Sequence, residues 1–417
     1  MEESSRTLLY RGALSGRVSR RQVLRRAALL GLSAPAIAAI LAACGGGSKD
    51  TPTTSGAGAS TNTSAATTAS SSTSAATTTA STSTWAPRDV SAKLTGSGSS
   101  FVDPAMQLWI QKYKDLAPNI TINYQSVGSG QGKKDFIGGV TDFAGTDAYM
   151  TDDEMQQAAG TLHIPVVLGP VAITFNLDGV DKLQLSGKTL ADIYLGTVTK
   201  WDDDEVKADN PGASLPSTAI TVVHRSDGSG TSAIFTNYLS KVSDDWKTKV
   251  GFGTAVQWPV GIGGQQNPGV AAGVQQTPGA IGYVELAYAI QNKLPAASMK
   301  NEAGAFVAPS LDGASADAAG YVDNLPDDLR LFITDAPTGQ DVYPITGFSW
   351  LLLRPSYDDA DKAKALTDFC YFCVTQGQQI SKSLQYAPLP DAVLPIETKK
   401  LEAVKSGDQN VFTAPTS

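Results

Sequence analysis

Three times along this chain a short β-type run ends in a Gly/Ser-rich turn from which an amphipathic helix starts, and this pattern constrains the fold more than any other feature. Leu94-Thr95-Gly96 reads as a strand running into Gly98-Ser99-Ser100-Phe101. Asp103 is then expected to cap a helix with Pro104 in its first turn, along which Met106, Trp109, Ile110, Tyr113 and Leu116 fall at helical spacing. Residues 120–125 alternate as a second strand, 128–132 form a small-residue loop, and a short helix is expected from there to about Val140. The third strand, 220–223, runs into Arg225-Ser226-Asp227-Gly228-Ser229-Gly230-Thr231-Ser232, and Ile234, Phe235, Tyr238, Leu239 and Val242 mark the helix beyond it. Further strands are expected at 141–144, leading into Thr146-Asp147, at 164–168 and at 171–175. Alternation of this kind specifies an α/β fold. At each junction unpaired backbone N–H groups and the positive end of a helix dipole face one loop, an arrangement suited to an oxyanion. The competing reading of any single loop is that its glycines only permit a tight turn.

The 417 residues exceed what one core usually supports, so two folded lobes plus unfolded segments are expected. The net charge is −8, yet residues 1–43 hold seven arginines against Glu2 and Glu3, which leaves the remainder near −13. Such a surface argues against nucleic acid as a partner. An acidic protein that binds an anion must do so with local dipoles and one or two cations.

The arginines belong to an address. Ser19-Arg20-Arg21-Gln22-Val23-Leu24-Arg25 precedes an apolar run, 27–43, too short and too interrupted by Gly31 and Pro35 to span a membrane comfortably. The run ends in Leu41-Ala42-Ala43-Cys44, which resembles the lipobox of bacterial lipoproteins and makes Cys44 the expected lipid anchor. Arg20-Arg21 resembles a twin-arginine export signal, with the general secretory route as the alternative. Residues 45–84 are almost wholly Ser, Thr, Ala and Gly, and the segment 44–92 is expected to be a disordered tether.

Several catalytic readings fail on the residues. Gly128-Ser129-Gly130-Gln131-Gly132-Lys133 is not a nucleotide P-loop, because Val127 stands where its first glycine belongs and Lys134 where Ser or Thr should follow. No strand leads into a Gly-x-Ser-x-Gly elbow. The two histidines, His163 and His224, belong to no cluster with metal-ligand spacing, so structural or surface roles are expected for both. No metal, cofactor or catalytic residue is expected, and the chain is not read as an enzyme. Cys370 and Cys373 share a face of a helix expected over 366–383, where two buried thiols are favoured over a disulfide.

Taken in order, several segments together resemble one family, the phosphate-specific substrate-binding protein of the high-affinity phosphate ABC transporter. They are Leu94-Thr95-Gly96-Ser97-Gly98-Ser99-Ser100-Phe101, Gly128-Ser129, Thr141-Asp142-Phe143-Ala144-Gly145-Thr146-Asp147-Ala148 and the run from Arg225 to Ser232. Gly279-Ala280-Ile281-Gly282-Tyr283 and Tyr343-Pro344-Ile345 support the match. The resemblance implies an α/β, two-lobe periplasmic-binding-protein-like fold with the ligand in the inter-lobe cleft and two crossing hinge strands. Lobe 1 would comprise 93–170 and 346–417, and lobe 2 residues 171–345. It implies inorganic phosphate as ligand, held by Ser100, the N–H of Phe101, Ser129, Ser229, Gly230 and Thr231. Arg225 would supply the cation, steadied by Asp227, and Asp147 would accept a hydrogen bond from the phosphate.

Asp147 also carries a selectivity argument. Phosphate keeps at least one proton near neutral pH and sulfate keeps none, so an ionised carboxylate pairs with the first and faces only lone pairs on the second. The alternative reading of Asp147 is a cap for a helix around 151–155. Ser100 stands where threonine is usual in the family, and Gly130-Gln131 replaces a Ser-Gly pair. The partners implied are ABC permease and ATPase subunits on other chains and the membrane through lipidated Cys44, at the outer face of the cytoplasmic membrane. The protein is expected to act as a monomer, with no nucleic acid bound. Other readings are a binding protein for arsenate or sulfate, or a secreted phosphatase built on the same anion site.

Overall fold

The computed structural model describes residues 85–336 and 339–415. The export signal, Cys44 and residues 45–84 of the tether lie outside the described residues. The path begins with β1 (Ala92–Gly98), α1 (Asp103–Leu116), β2 (Ile120–Ser126), α2 (Ser129–Ile137), β3 (Phe143–Thr146), α3 (Asp152–Gln157) and the long β4 (Leu162–Phe175). It continues through β5 (Gln184–Leu185), α4 (Gly187–Leu195), α5 (Asp204–Asp209), β6 (Thr221–Arg225), α6 (Gly230–Val242), α7 (Asp244–Lys249), β7 (Ile262–Gly264), α8 (Gln266–Gln276) and β8 (Ala280–Glu285). Then follow α9 (Leu286–Gln291), β9 (Ser298–Lys300), β10 (Phe306–Val307), α10 (Leu311–Ala319), β11 (Thr346–Leu353), α11 (Ala360–Val374), α12 (Gln376–Lys382), α13 (Val393–Glu402), β12 (Lys405–Ser406) and β13 (Gln409–Asn410).

Eight strands form one mixed sheet in the order β2-β1-β3-β11-β4-β8-β6-β7. On one side β1 runs parallel to β2 and β3, and on the other β6 runs parallel to β7 and β8. The antiparallel strands β11 and β4 join the two parallel groups. Helices cover the sheet, and their apolar stripes supply the core. From α1, for instance, Met106, Trp109 and Tyr113 are buried, whereas Leu116 at its end is exposed.

The two strands expected at 164–168 and 171–175 are one, the 14-residue β4, buried along nearly its whole length. Its prolines do not break it, because the ladder yields where they stand. Opposite Pro165 the pairing with β11 slips by one residue between Ser349 and Trp350, which absorbs the missing N–H. At Pro170 the strand changes partner, pairing with β11 up to that residue and with β8 from Val171 on. The chain comes back beside this point. Tyr343 Oη donates to Val171 O at 2.7 Å, and Val171 N–H donates to Ile345 O at 2.7 Å.

Four further boundaries differ from the sequence reading. Asp103 is the first residue of α1 rather than its cap; Val102 occupies the cap position without a side-chain bond, and Asp103 accepts from Gln107 Nε2 at 2.9 Å. The expected loop 128–132 is mostly the first turn of α2, with Gly128 alone supplying the turn at φ 89°. The strand expected at 141–144 is β3, shifted two residues onward. The single helix expected over 366–383 is α11 and α12, separated at Thr375 by φ −118° and ψ −94°. Cys370 and Cys373 are free and buried in α11.

The tether expected over 44–92 stops short of its proposed end, because residues 85–92 are packed. Trp85 meets the Tyr371 ring edge-on at 5.1 Å, Arg88 Nη2 pairs with Asp368 Oδ1 at 2.7 Å, and Ala92 opens β1. A tryptophan and a paired arginine set this stretch apart from the Ser/Thr/Ala run before it. Among the described residues no helix is long and apolar enough to cross a membrane.

Candidate functional site

Within each parallel group the strands present their carboxyl ends on one edge of that group, and in α/β sheets ligands bind at such ends. Here Gly98, Ser126 and Thr146 end β1, β2 and β3, while Arg225 and Gly264 end β6 and β7. The loops after these five strands meet. Gly130 N–H donates to Gly228 O at 2.8 Å, and Gln266 Nε2 donates to Ser126 O at 2.7 Å. Tyr288 Oη donates to Ser100 O at 2.6 Å. Gly230 lies so near the opposing loop that a Cβ on it would stand 2.5 Å from both Asp147 Oδ2 and Ser129 Oγ. The cleft is therefore closed, and Ser100, Phe101, Ser129, Asp147, Arg225, Ser229, Gly230 and Thr231 are all buried in it.

Asp147 sits at the end of β3 and caps no helix. That task belongs to Thr151, which forms a capping box with Glu154 at the start of α3. Three serines donate to the Asp147 carboxylate instead. Ser99 Oγ lies 2.6 Å from Oδ1 and 2.7 Å from Oδ2, Ser349 Oγ 2.7 Å from Oδ1, and Ser129 Oγ 3.3 Å from Oδ2. Ser99 has no other use for its proton, since its oxygen already accepts from Phe101 N–H at 2.9 Å and Val102 N–H at 3.3 Å. Ser99 spreads its one proton over both oxygens, so these four contacts fill the about four acceptor positions of an ionised carboxylate; the 3.3 Å Ser129 contact is the weakest, and a ligand hydroxyl that displaces it leaves the Ser129 proton for the ligand. Burial pushes the Asp147 pKa up to about 6, against the pull of Ser99, Ser349, the Arg225 charge and Ser129.

Arg225 ends β6 and lies almost wholly out of solvent. Its Nε and Nη2 grip Asp227 at 2.7 and 2.6 Å, and Gln266 N–H supports Asp227 Oδ1 at 2.9 Å. Burial opposes ionisation of Asp227, yet the Arg225 guanidinium holds its carboxyl below the usual range. This two-pronged grip aims the remaining nitrogen, Nη1, at Thr231 Oγ1, 3.2 Å away. Ser229 caps α6 by accepting from Ser232 N–H at 3.0 Å, and Gly230 and Thr231 fill the first two helical positions, whose N–H groups have no acceptor inside the helix. Phe101 differs from the sequence reading, because its N–H already donates to Ser99 Oγ.

Sequence reasoning missed Ser99, Ser349, Gln266 and Asn267. Asn267 Nδ2 donates to Ser100 Oγ at 3.0 Å and to Thr231 Oγ1 at 3.2 Å, so this side chain links two of the expected ligand residues. The signal that could have found it is a fourth strand-to-helix junction, Ile262-Gly263-Gly264-Gln265-Gln266-Asn267, whose strand is only three residues long. Neither histidine reaches the site: His163 Nε2 accepts from Met150 N–H at 3.0 Å, and His224 stacks on Trp258 at 4.9 Å. Burial pushes His163 down to about 3 and keeps it neutral. Among the described residues no group of three or more His, Cys, Asp or Glu is placed to hold a metal ion.

Residues 62–376 match the family model described as a PBP superfamily domain. The phosphate-binding protein PstS of Xylella fastidiosa (strain Temecula1) is 43% identical over 325 residues, covering 78% of this chain and 87% of that protein. The phosphate-binding protein PstS of Methanocaldococcus jannaschii is 38% identical over 334 residues, covering 74% and 85%. Among solved structures, a high-affinity periplasmic phosphate-binding protein bound with phosphate aligns over 78% of this chain and 98% of its own at TM-score 0.58 and 23% identity, a likeness of fold. The phosphate binding protein of Stenotrophomonas maltophilia aligns over 73% and 92% at TM-score 0.55 and 19% identity.

Proposed function

Because the chain belongs to the phosphate-binding protein PstS family within the PBP superfamily, we propose that it captures inorganic phosphate outside the cytoplasmic membrane and delivers it to an ABC importer. The observation that carries this reading is the meeting, in one buried cleft, of hydroxyls, helix-start N–H groups and a single guanidinium with a carboxylate whose longest serine contact, from Ser129, a ligand proton can displace. Ser100, Ser129, Ser229, Gly230, Thr231 and Arg225 supply donors to the phosphate oxygens. Asp147 accepts the proton that phosphate brings. Phe101 contributes its N–H only by sharing it with Ser99. Residues 93–170 with 346–417 act as one lobe and 171–345 as the other, hinged where β4 changes partner at Pro170.

The importer's permease and ATPase are other chains, and lipidated Cys44 holds this one at the outer face of the membrane. The tether lets a single copy reach its transporter. That the chain is a binding protein rather than an enzyme is supported by its relatives, which are named phosphate-binding proteins. The test is calorimetric titration of the purified protein, stripped of bound ion, with phosphate and with sulfate. Tight phosphate binding beside negligible sulfate binding is expected. Absence of phosphate binding, or equal binding of both ions, overturns the reading.

A further inference from the structure

A hydroxyl can accept two hydrogen bonds and donate one, so a hydroxyl whose lone pairs are both engaged can only donate. Besides Ser99, whose proton goes to Asp147, two hydroxyls in the cleft are in that state. Ser100 Oγ accepts from Asn267 N–H at 3.2 Å and from Asn267 Nδ2 at 3.0 Å. Thr231 Oγ1 accepts from Arg225 Nη1 at 3.2 Å and from Asn267 Nδ2 at 3.2 Å. One fully buried amide therefore engages both, spending its two N–H bonds on residues 131 positions apart in the chain. The amide itself cannot turn over. Its Oδ1 accepts from Glu285 N–H at 3.0 Å, and a flipped amide would set two donors against each other there.

We propose that Asn267 is a positioning residue for the anion site: it directs the protons of Ser100 and Thr231 toward the ligand and binds the two loops to one another as the cleft closes. This rests on the phosphate-binding reading and adds to it. With both hydroxyls fixed as donors, they present nothing that could accept a proton from the ligand. Asp147 is left as the acceptor for the ligand's proton, so a tetrahedral ion with one protonated oxygen fits in a single orientation. Removing Asn267 frees both hydroxyls to turn. Replacing it by aspartate, which has the same shape, does more, because an acceptor in place of Nδ2 draws both protons away from the anion.

A double-mutant cycle on the full-length protein, read by phosphate and sulfate titration, tests this. Asn267→Ala is expected to weaken phosphate binding on the order of 30-fold, the worth of about one hydrogen bond to a charged group. The phosphate-to-sulfate ratio should stay within about threefold of wild type, since losing donors penalises both ions alike. In a Ser100→Ala, Thr231→Val background the same substitution should cost less than about threefold, because the hydroxyls it acts on are gone. Asn267→Asp, which preserves packing if the alanine variant folds poorly, should lose more phosphate affinity than Asn267→Ala. Equal cost of Asn267→Ala in both backgrounds, or wild-type binding by Asn267→Asp, refutes the role of Asn267 while the phosphate reading stands. A wild-type protein without phosphate affinity refutes both.

Discussion

Acidification should erode the discrimination against sulfate, and the structure sets where. Asp147 holds three serine donors on its two oxygens and is buried among them, and burial moves its pKa from the ordinary aspartate range up to about 6. Above that value the group is a carboxylate, which accepts a proton from phosphate and repels sulfate. Below it the group carries a proton and can donate to either ion, so sulfate affinity should follow the protonated fraction. That fraction is about 1% at pH 8 and about 90% at pH 5, which predicts a rise in sulfate affinity on the order of 100-fold between the two. Phosphate affinity should change far less, because one proton lies between carboxyl and ligand whichever of them brings it. The assay is calorimetric titration with both ions at pH 5, 6.5 and 8, for wild type and Asp147→Asn. The same group predicts a stability trend. A folded-state pKa raised by about two units contributes roughly 3 kcal/mol below the unfolded value, lost as pH rises through about 6. Asp147→Asn should therefore gain in Tm relative to wild type as pH rises from 4 to 7. A sulfate affinity flat across pH, or one that keeps its slope in Asp147→Asn, would refute the reasoning.

Arg225→Ala should weaken phosphate binding at least about 100-fold, since it removes the cation and leaves the largely buried Asp227 carboxylate facing the anion; titration that finds less than tenfold would contradict this. Gly230→Ala should leave ligand-free folding nearly intact yet weaken binding by roughly 5- to 100-fold, because its Cβ meets Asp147 and Ser129 only when the cleft closes; near-wild-type affinity would show that the loops do not come this close in solution. Cys370 and Cys373, both buried and with thiols pushed up by burial, should resist iodoacetamide in the native protein and react after denaturation. The experiment is run with Cys44 replaced, and native labelling as fast as that of an exposed thiol would count against the packing of α11.

The parts of the fold legible in the sequence were those where local chemistry and tertiary outcome agree. Strands ending in Gly/Ser turns and opening amphipathic helices appear as β1–α1, β2–α2 and β6–α6, and the loops between them meet at the candidate site. Where the reading failed, a distant partner decided the outcome. Pro165 and Pro170 look like strand breaks until β11 and β8 supply a register slip and a change of partner. Ser349 lies in a wholly buried strand, where the pattern Phe-Ser-Trp-Leu-Leu-Leu suggests core and nothing marks it as a donor to Asp147. Asn267 follows a strand of three residues, two of them glycine, too short for any alternation to show. Asp103 suits a cap on local propensity, but it lies inside the first turn of α1, where its carboxylate accepts from Gln107 Nε2 instead.

The charge balance explains why so many neutral groups gather at one point. Arg225 is matched by Asp227, and Asp147 adds a further negative charge, so with all three ionised the site repels an anion before it attracts one. Attraction must then come from dipoles that cost nothing to orient: the first turns of α2 and α6, and hydroxyls whose direction is already fixed. Such donors act over a few ångströms and lose force as soon as the loops separate. That is the physical reason to hold them on two groups of parallel strands joined by β4 and β11 rather than on one rigid surface. On the proposed two-lobe reading, affinity belongs to the closed cleft, and opening it by a few ångströms should be enough to let the ion go.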